Sequence, residues 1–132
     1  MSELKANELR CGNLINYLTA EGDNLETTID WQDLKWVTED PNGFNYVHLP
    51  IPLTEEWLVK LGFEKFDDDG YSIKVDNATL IIDIEDFSIG VFHSEYDYNK
   101  GLYFTPNKCF RTVHQLQNLF FSLTETELTI KD

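Results

Sequence analysis

From Phe63 to His93 the chain runs in short alternating segments, each closed by a tight-turn signal, and that rhythm leaves few architectures open. "FEKF" and "YSIKV" flank Asp67-Asp68-Asp69-Gly70, and Asp-Gly between alternating segments is a strong hairpin signal. "YSIKV" turns through Asp76-Asn77 into "ATLIIDI", where Leu80, Ile82 and Ile84 share one face and Ile81, Asp83 and Glu85 the other. Glu85-Asp86 leads into "FSIGVFH", with Phe87, Ile89 and Val91 alternating, and "LYFTP" after the loop "SEYDYNKG" reads as a last strand. Strands this short and this close leave no room for crossover helices. They predict an antiparallel meander, not βαβ units.

Two helices punctuate this pattern. In "PIPLTEEWLVKLGFEKF", Pro50 and Pro52 hold the chain extended, Thr54 is an N-cap, and Glu55 and Glu56 sit in the first turn, where the helix dipole favours acids. Trp57, Leu58 and Leu61 form an apolar stripe and Gly62 suits a left-handed cap, predicting a short helix over about 54–62. The second helix, about 112–123 within "TVHQLQNLFFSLT", carries no formal charge. At 100° per residue, Val113, Leu116, Leu119, Phe120 and Leu123 fall on one stripe, wide enough to pack on a sheet. Its far side is His114, Gln115, Asn118 and Ser122, with Phe121 lying among polar neighbours.

That polar face is unusual in a chain where 26% of residues are charged. A solvated helix here should carry glutamate and lysine. Amides and a histidine tolerate partial burial when each finds a hydrogen-bond partner, whereas ionic side chains lose far more on desolvation. The helix is therefore expected to be covered on more than one side, with Phe121 inside the contact. Either the protein's own loops cover it, with the uncharged stretch 41–54 the natural candidate, or a second molecule does. On the latter reading His114, Gln115, Asn118 and Phe121 form an interface.

The remaining segments read as sheet. Residues 9–18, "LRCGNLINYL", suggest a strand entered through a bend at Gly12-Asn13. Between the turn signals at Gly22-Asp23-Asn24 and Asp40-Pro41-Asn42-Gly43, the apolar residues Trp31, Leu34 and Trp36 fit no strict period, and one or two short strands are expected. "FNYVHL", 44–49, looks like another strand. The whole predicts an α+β fold: mainly an antiparallel sheet, with the central and C-terminal helices packed on it, as one domain over 1–132.

Charge narrows function. Twenty-four acids against ten bases give −14, and each half of the chain carries half of it, so neither an acidic tail nor a basic arm stands out. Such a field repels phosphate backbones and disfavours direct nucleic-acid binding. The densest stretch runs from Glu21 to Asp40, with seven acids and one lysine. Glu21, Asp23, Glu26, Asp30 and Asp33, together with Asp83 and Glu85 on the meander, make up a candidate acidic docking surface. No run of eighteen apolar residues suggests a membrane span, and "MSELKANELRCGN" has no apolar signal region, which points to the cytoplasm. In that compartment Cys11 and Cys109 read as small buried or half-buried hydrophobes, not as a disulfide.

Catalytic patterns do not assemble. With Gly70 at the sixth position of a calcium loop, Lys65 would take the first ligand place, so "KFDDDG" reads as a turn. Asp83 and Glu85 resemble nuclease carboxylates but lack a lysine two positions on. His48, His93 and His114 share no ligand spacing, and there is no phosphate loop or G-x-S-x-G. Neither cofactor nor metal is expected.

Three stretches, "ANELRCGNLINY", "PIPLTEEWLVKLGFEK" and "VHQLQNLFFSLTETEL", resemble a widespread group of small uncharacterised proteins of Bacteroidales genomes, their prophages and related phages. The resemblance covers about a third of the chain. It implies a cytoplasmic accessory protein of a phage or mobile element and brings no catalytic residue with it. Function is then expected in the linking segments 19–48 and 67–108. The leading expectation is a non-catalytic acidic protein that binds a host or phage protein, most concretely an anti-defence inhibitor mimicking DNA charge. The alternatives are a homo-oligomer that captures a nucleotide-like ligand, and a metal-dependent enzyme using Asp83, Glu85 and His93.

Overall fold

The computed structural model describes residues 4–75, 78–85, 88–93, 102–104 and 111–131. After a 3₁₀ turn at Ala6–Glu8 come β1 (Leu14–Leu18), β2 (Asn24–Thr28), α1 (Trp31–Glu39), α2 (Pro41–Val47), β3 (His48–Leu49) and α3 (Glu55–Lys60). The second half holds β4 (Glu64–Lys65), β5 (Gly70–Val75), β6 (Ala78–Asp83), β7 (Ser88–His93), β8 (Leu102–Phe104) and α4 (Val113–Thr124). The architecture is α+β, with two antiparallel sheets ordered β2–β1–β3 and β4–β5–β6–β7–β8.

The five-stranded sheet is the meander the alternation predicts. Tyr71, Ile82 and Ile89 stand in register, as do Ile73 and Leu80, so their side chains share one face. Tyr71, Leu80, Ile82 and Ile89 are buried there. The aspartate run is a turn: one Asp67 carboxylate oxygen accepts the Asp69 and Gly70 N–H groups, at 3.0 and 2.6 Å. Phe66 N–H to Gly70 C=O then closes the hairpin. Asp76-Asn77, Asp86-Phe87, the loop 94–100 and Cys109 lie outside the described residues.

α3 forms as its punctuation predicts. The Thr54 hydroxyl accepts the Trp57 N–H, Trp57 and Leu58 are buried, and Gly62 leaves the helix at φ +98°, a left-handed conformation that glycine adopts without a Cβ penalty. α4 starts on a reciprocal capping box between Thr112 and Gln115. Its predicted stripe is correct: Val113, Leu116 and Phe120 are buried, with Leu119 and Leu123 packed at the margin. These residues fill a core with α3 and the inner face of the meander. Each fully buried large side chain contributes roughly 1.5–3 kcal/mol.

The three-stranded sheet faces two ways. Leu14 enters the main core, while its neighbour Ile15 joins a second core of Leu4, Leu9, Ile29, Val37 and Phe44. α1 and α2 supply Val37 and Phe44 to that second core, so they cover the Ile15 face. Both helices correct the strands expected at 24–49, of which only β2 and the two residues of β3 are extended. Helix wins because the turn residues are caps. The Asp30 carboxylate accepts the Asp33 N–H at 2.9 Å and the Asp33 carboxylate accepts the Asp30 N–H at 3.0 Å. The Asp40 carboxylate accepts the Gly43 N–H at 3.2 Å as a one-way cap, with Pro41 in the first turn of α2. Trp31 and Trp36 broke the period because α1 buries Val37 instead and leaves both indoles on exposed sides.

Candidate interaction surface

The uncharged face of α4 is a joint within the chain. Gln117 is buried, and its amide is saturated. Nε2 donates to the carbonyls of Gly12 and Leu128 at 3.2 and 3.0 Å, and Oε1 accepts Leu14 N–H at 2.8 Å and Asn13 Nδ2 at 3.5 Å. Asn118 accepts from Arg10 Nε and Asn13 Nδ2, both at 2.9 Å, and donates to the Glu8 carbonyl at 2.7 Å. Arg10 completes the clamp, reaching Glu127 at 2.7 Å and the Gln117 carbonyl at 3.4 Å. The turn that presents Asn13 is the one read at Gly12-Asn13, with Gly12 at φ +96°.

The covering segment is therefore 8–14 together with 127–128, and not 41–54. From the latter stretch Ile51–Leu53 meets the helix start, through Leu53 N–H to Arg111 C=O and Val113 N–H to Ile51 C=O. Phe121 is not inside the contact. It is 37% exposed, with the Arg10 guanidinium 4.5 Å from its ring centroid. Gln115 is half-buried and engaged in the capping box, and Asn118 is engaged by Arg10 and Asn13. His114 is only 2% exposed, so of the four interface candidates it is shut inside the chain. Its Nδ1 lies 3.2 Å from the Thr112 hydroxyl, while Nε2 is buried without a hydrogen-bond partner. Burial lowers its pKa from 6.5 to about 4, because no neighbour compensates for desolvating an imidazolium.

The acidic candidates divide between the two sheets. Glu21, Asp23 and Glu26 are exposed on the β1–β2 hairpin, and Asp30 and Asp33 follow at the start of α1, where they also serve as its caps. Across this stretch the described ion pairs include one, Lys60 to Glu26 at 2.9 Å, with both side chains well exposed. Asp83 and Glu85 belong to the meander instead. Asp83 accepts the Glu85 N–H at 2.9 Å and so shapes the turn after β6. Among the described residues no group of three or more His, Cys, Asp or Glu is placed to hold a metal ion. The His93 side chain lies outside them. Cys11, expected to be buried or half-buried, is exposed as a free thiol.

Next to the acidic hairpin lies an apolar strip that sequence reasoning missed. Tyr17 stands opposite both Leu25 and His48, and its ring meets the His48 ring at 5.4 Å. Trp36 meets the same histidine edge-on at 5.5 Å, and Phe44 stacks on it at 4.0 Å. His48 Nδ1 is 2.9 Å from the Phe44 carbonyl, which can only accept, so the proton sits on Nδ1. Leu25, Tyr17 and Trp36 remain 55%, 40% and 39% exposed, on the sheet face that α1 and α2 cover only in part. The missed signal was the cap at Asp30, which turns Trp36 toward β3.

On the opposite face of the same sheet, Asn16, Asn24, Leu49, Pro50, Pro52 and Arg111 line an open groove of about 480 Å³. No helix among the described residues is long and apolar enough to cross a membrane. Comparisons with protein-family models, with curated proteins and with solved structures find no match to the chain.

Proposed function

We propose that the chain is a non-catalytic interaction protein that docks a basic protein partner through the β1–β2 hairpin and the start of α1. The observation that carries this reading is the concentration of exposed Glu21, Asp23, Glu26 and Asp30, with half-buried Asp33, on one stretch of chain beside an exposed apolar strip. Acids steer and select a basic partner, and a neighbouring patch of aromatic and aliphatic side chains supplies the desolvated contact that charge alone does not. The resemblance of its motifs to phage and prophage proteins supports reading the partner as a host protein in the cytoplasm. A host surface that normally holds nucleic acid is the most concrete case, since an acidic chain that repels nucleic acid competes for such a surface.

The test separates charge from fold. Glu21→Gln, Asp23→Asn and Asp30→Asn together remove three charges, and asparagine keeps the N-cap at position 30. Proteins retained from host lysate at low salt by the wild-type chain should be lost by this triple variant and released when salt is raised. Equal retention by the triple variant, or none by the wild-type chain at low salt, would refute the reading.

A further inference from the structure

We infer that the partner adds to β2 as an extra strand, a segment alternating basic with apolar side chains; this rests on the acidic docking proposed above. β2 is an edge of the three-stranded sheet. Its ladder to β1 is bracketed by two bonds of 2.8 Å, Thr19 N–H to Asp23 C=O and Ile29 N–H to Asn13 C=O. Bonded and non-bonded pairs alternate along an antiparallel ladder, so the 17–25 and 15–27 pairs bond inward. The N–H and C=O groups of Asn24, Glu26 and Thr28 therefore point away from the sheet. All three residues are exposed, and among the described hydrogen bonds none uses these backbone groups.

Edges of this kind are usually blunted by charged side chains, proline, a bulge or a covering loop. β2 has neither proline nor lysine, and five consecutive residues keep regular register with β1. What it has is Glu26 at its centre. A second copy pairing antiparallel through all three outward residues would set Glu26 against Glu26, with both acidic hairpins side by side, so self-association is the wrong occupant. A lysine or arginine opposite Glu26 reverses that sign, and the exposed Lys60 pair is weak enough to exchange.

The register also fixes the side-chain pattern. A residue opposite Glu26 shares the face of Asn16 and Leu49, while residues opposite Leu25 and Thr27 share the face of Tyr17. Basic side chains on the first face and apolar ones on the second would meet Glu26 and Leu25, the outer end of the apolar strip, at once. Backbone bonds give the affinity and the alternate side chains the selectivity.

The probe is an end-capped heptapeptide alternating lysine and valine, added to the full chain at low salt. Amide exchange at Asn24, Glu26 and Thr28 should slow by at least about tenfold, while amides of α4 and the meander stay unchanged. Glu26→Pro removes one outward donor and leaves the ladder to β1 intact, so it should bind at least about tenfold more weakly than Glu26→Ala. Unchanged exchange at the three amides under saturating peptide, or equal binding by Glu26→Pro and Glu26→Ala, overturns strand addition. A backbone N-methylated peptide of the same charge reads the acidic surface alone: if it binds as tightly as the parent, charge docking stands and strand addition falls. If neither peptide binds at low salt, the acidic reading falls as well.

Discussion

Replacing His114 with phenylalanine should remove most of the chain's excess sensitivity to mild acid. The imidazole is enclosed at the start of α4, and its Nε2 has no partner, so a proton taken up there would be a buried, unpaired charge. Its folded pKa is about 4, against 6.5 when solvated. Between those values the unfolded chain holds a proton that the folded chain does not, so stability falls as pH falls. The loss is about 1.4 kcal/mol per pH unit, on the order of 2 kcal/mol by pH 5 and 3 kcal/mol near pH 4, where it saturates. That is a large fraction of the roughly 5–15 kcal/mol that holds a domain folded.

Protonation of the many carboxylates relieves repulsion over part of the same range, so the absolute curve is not diagnostic. The difference between wild type and His114→Phe is, because every other group is common to both. Near pH 7 the two should lie within about 1 kcal/mol, the lost Thr112 contact being offset by removal of the orphaned nitrogen. Urea unfolding from pH 7 to 4, followed through the buried Trp57, should show the variant gaining stability relative to wild type as the medium acidifies. If the two curves stay parallel across that range, His114 is not the desolvated neutral group described here.

Other substitutions test the joint and the caps. Gln117→Ala strips partners from the Leu14 N–H and from the Gly12 and Leu128 carbonyls, and should cost about 3 kcal/mol in urea unfolding. Phe121→Ala removes only a half-exposed ring under Arg10, and should cost about 1 kcal/mol with no change of oligomeric state by sedimentation. Gly62→Ala should cost about 1 kcal/mol or more, since φ is +98° and the added Cβ would meet Lys131 Cγ at 2.9 Å. Asp30→Ala should cost about 1 kcal/mol and speed amide exchange in the first turn of α1, without slowing folding of the meander.

The sequence was most informative where pattern and punctuation agreed. Thr54 with Gly62 bounded α3, and the Asp67–Gly70 turn set the register of β4 and β5, because those residues impose their geometry locally. The partial burial of α4's neutral face was also readable, since amides and imidazoles lose less on desolvation than ionic side chains. What covers it was not, because Arg10 and Asn13 lie more than a hundred positions from Asn118 and nothing local links them. The segment 30–47 misled for the opposite reason. Its aromatic and β-branched residues suit strands, and only the capping geometry of Asp30 and Asp40 reveals the helices. Once α1 was missed, the Tyr17–His48–Trp36 strip could not be assembled from three separate segments.

The division of labour between neutral and charged polar residues follows from a single cost. Where two parts of a strongly acidic chain must meet, a carboxylate would be desolvated against its neighbours' field, so the meeting is made by Asn13, Gln117 and Asn118, with Arg10 as the cation that neutralises Glu127. Carboxylates are then confined to positions that solvent or helix N-termini already favour, which on β2 and α1 means the hairpin surface and the caps. The same rule that keeps charge out of the α4 joint leaves it on the hairpin around β2, an edge strand whose outward backbone groups take part in none of the described hydrogen bonds. On the proposed reading, a basic strand laid against β2 would meet its outward backbone groups, Glu26 and Leu25 together.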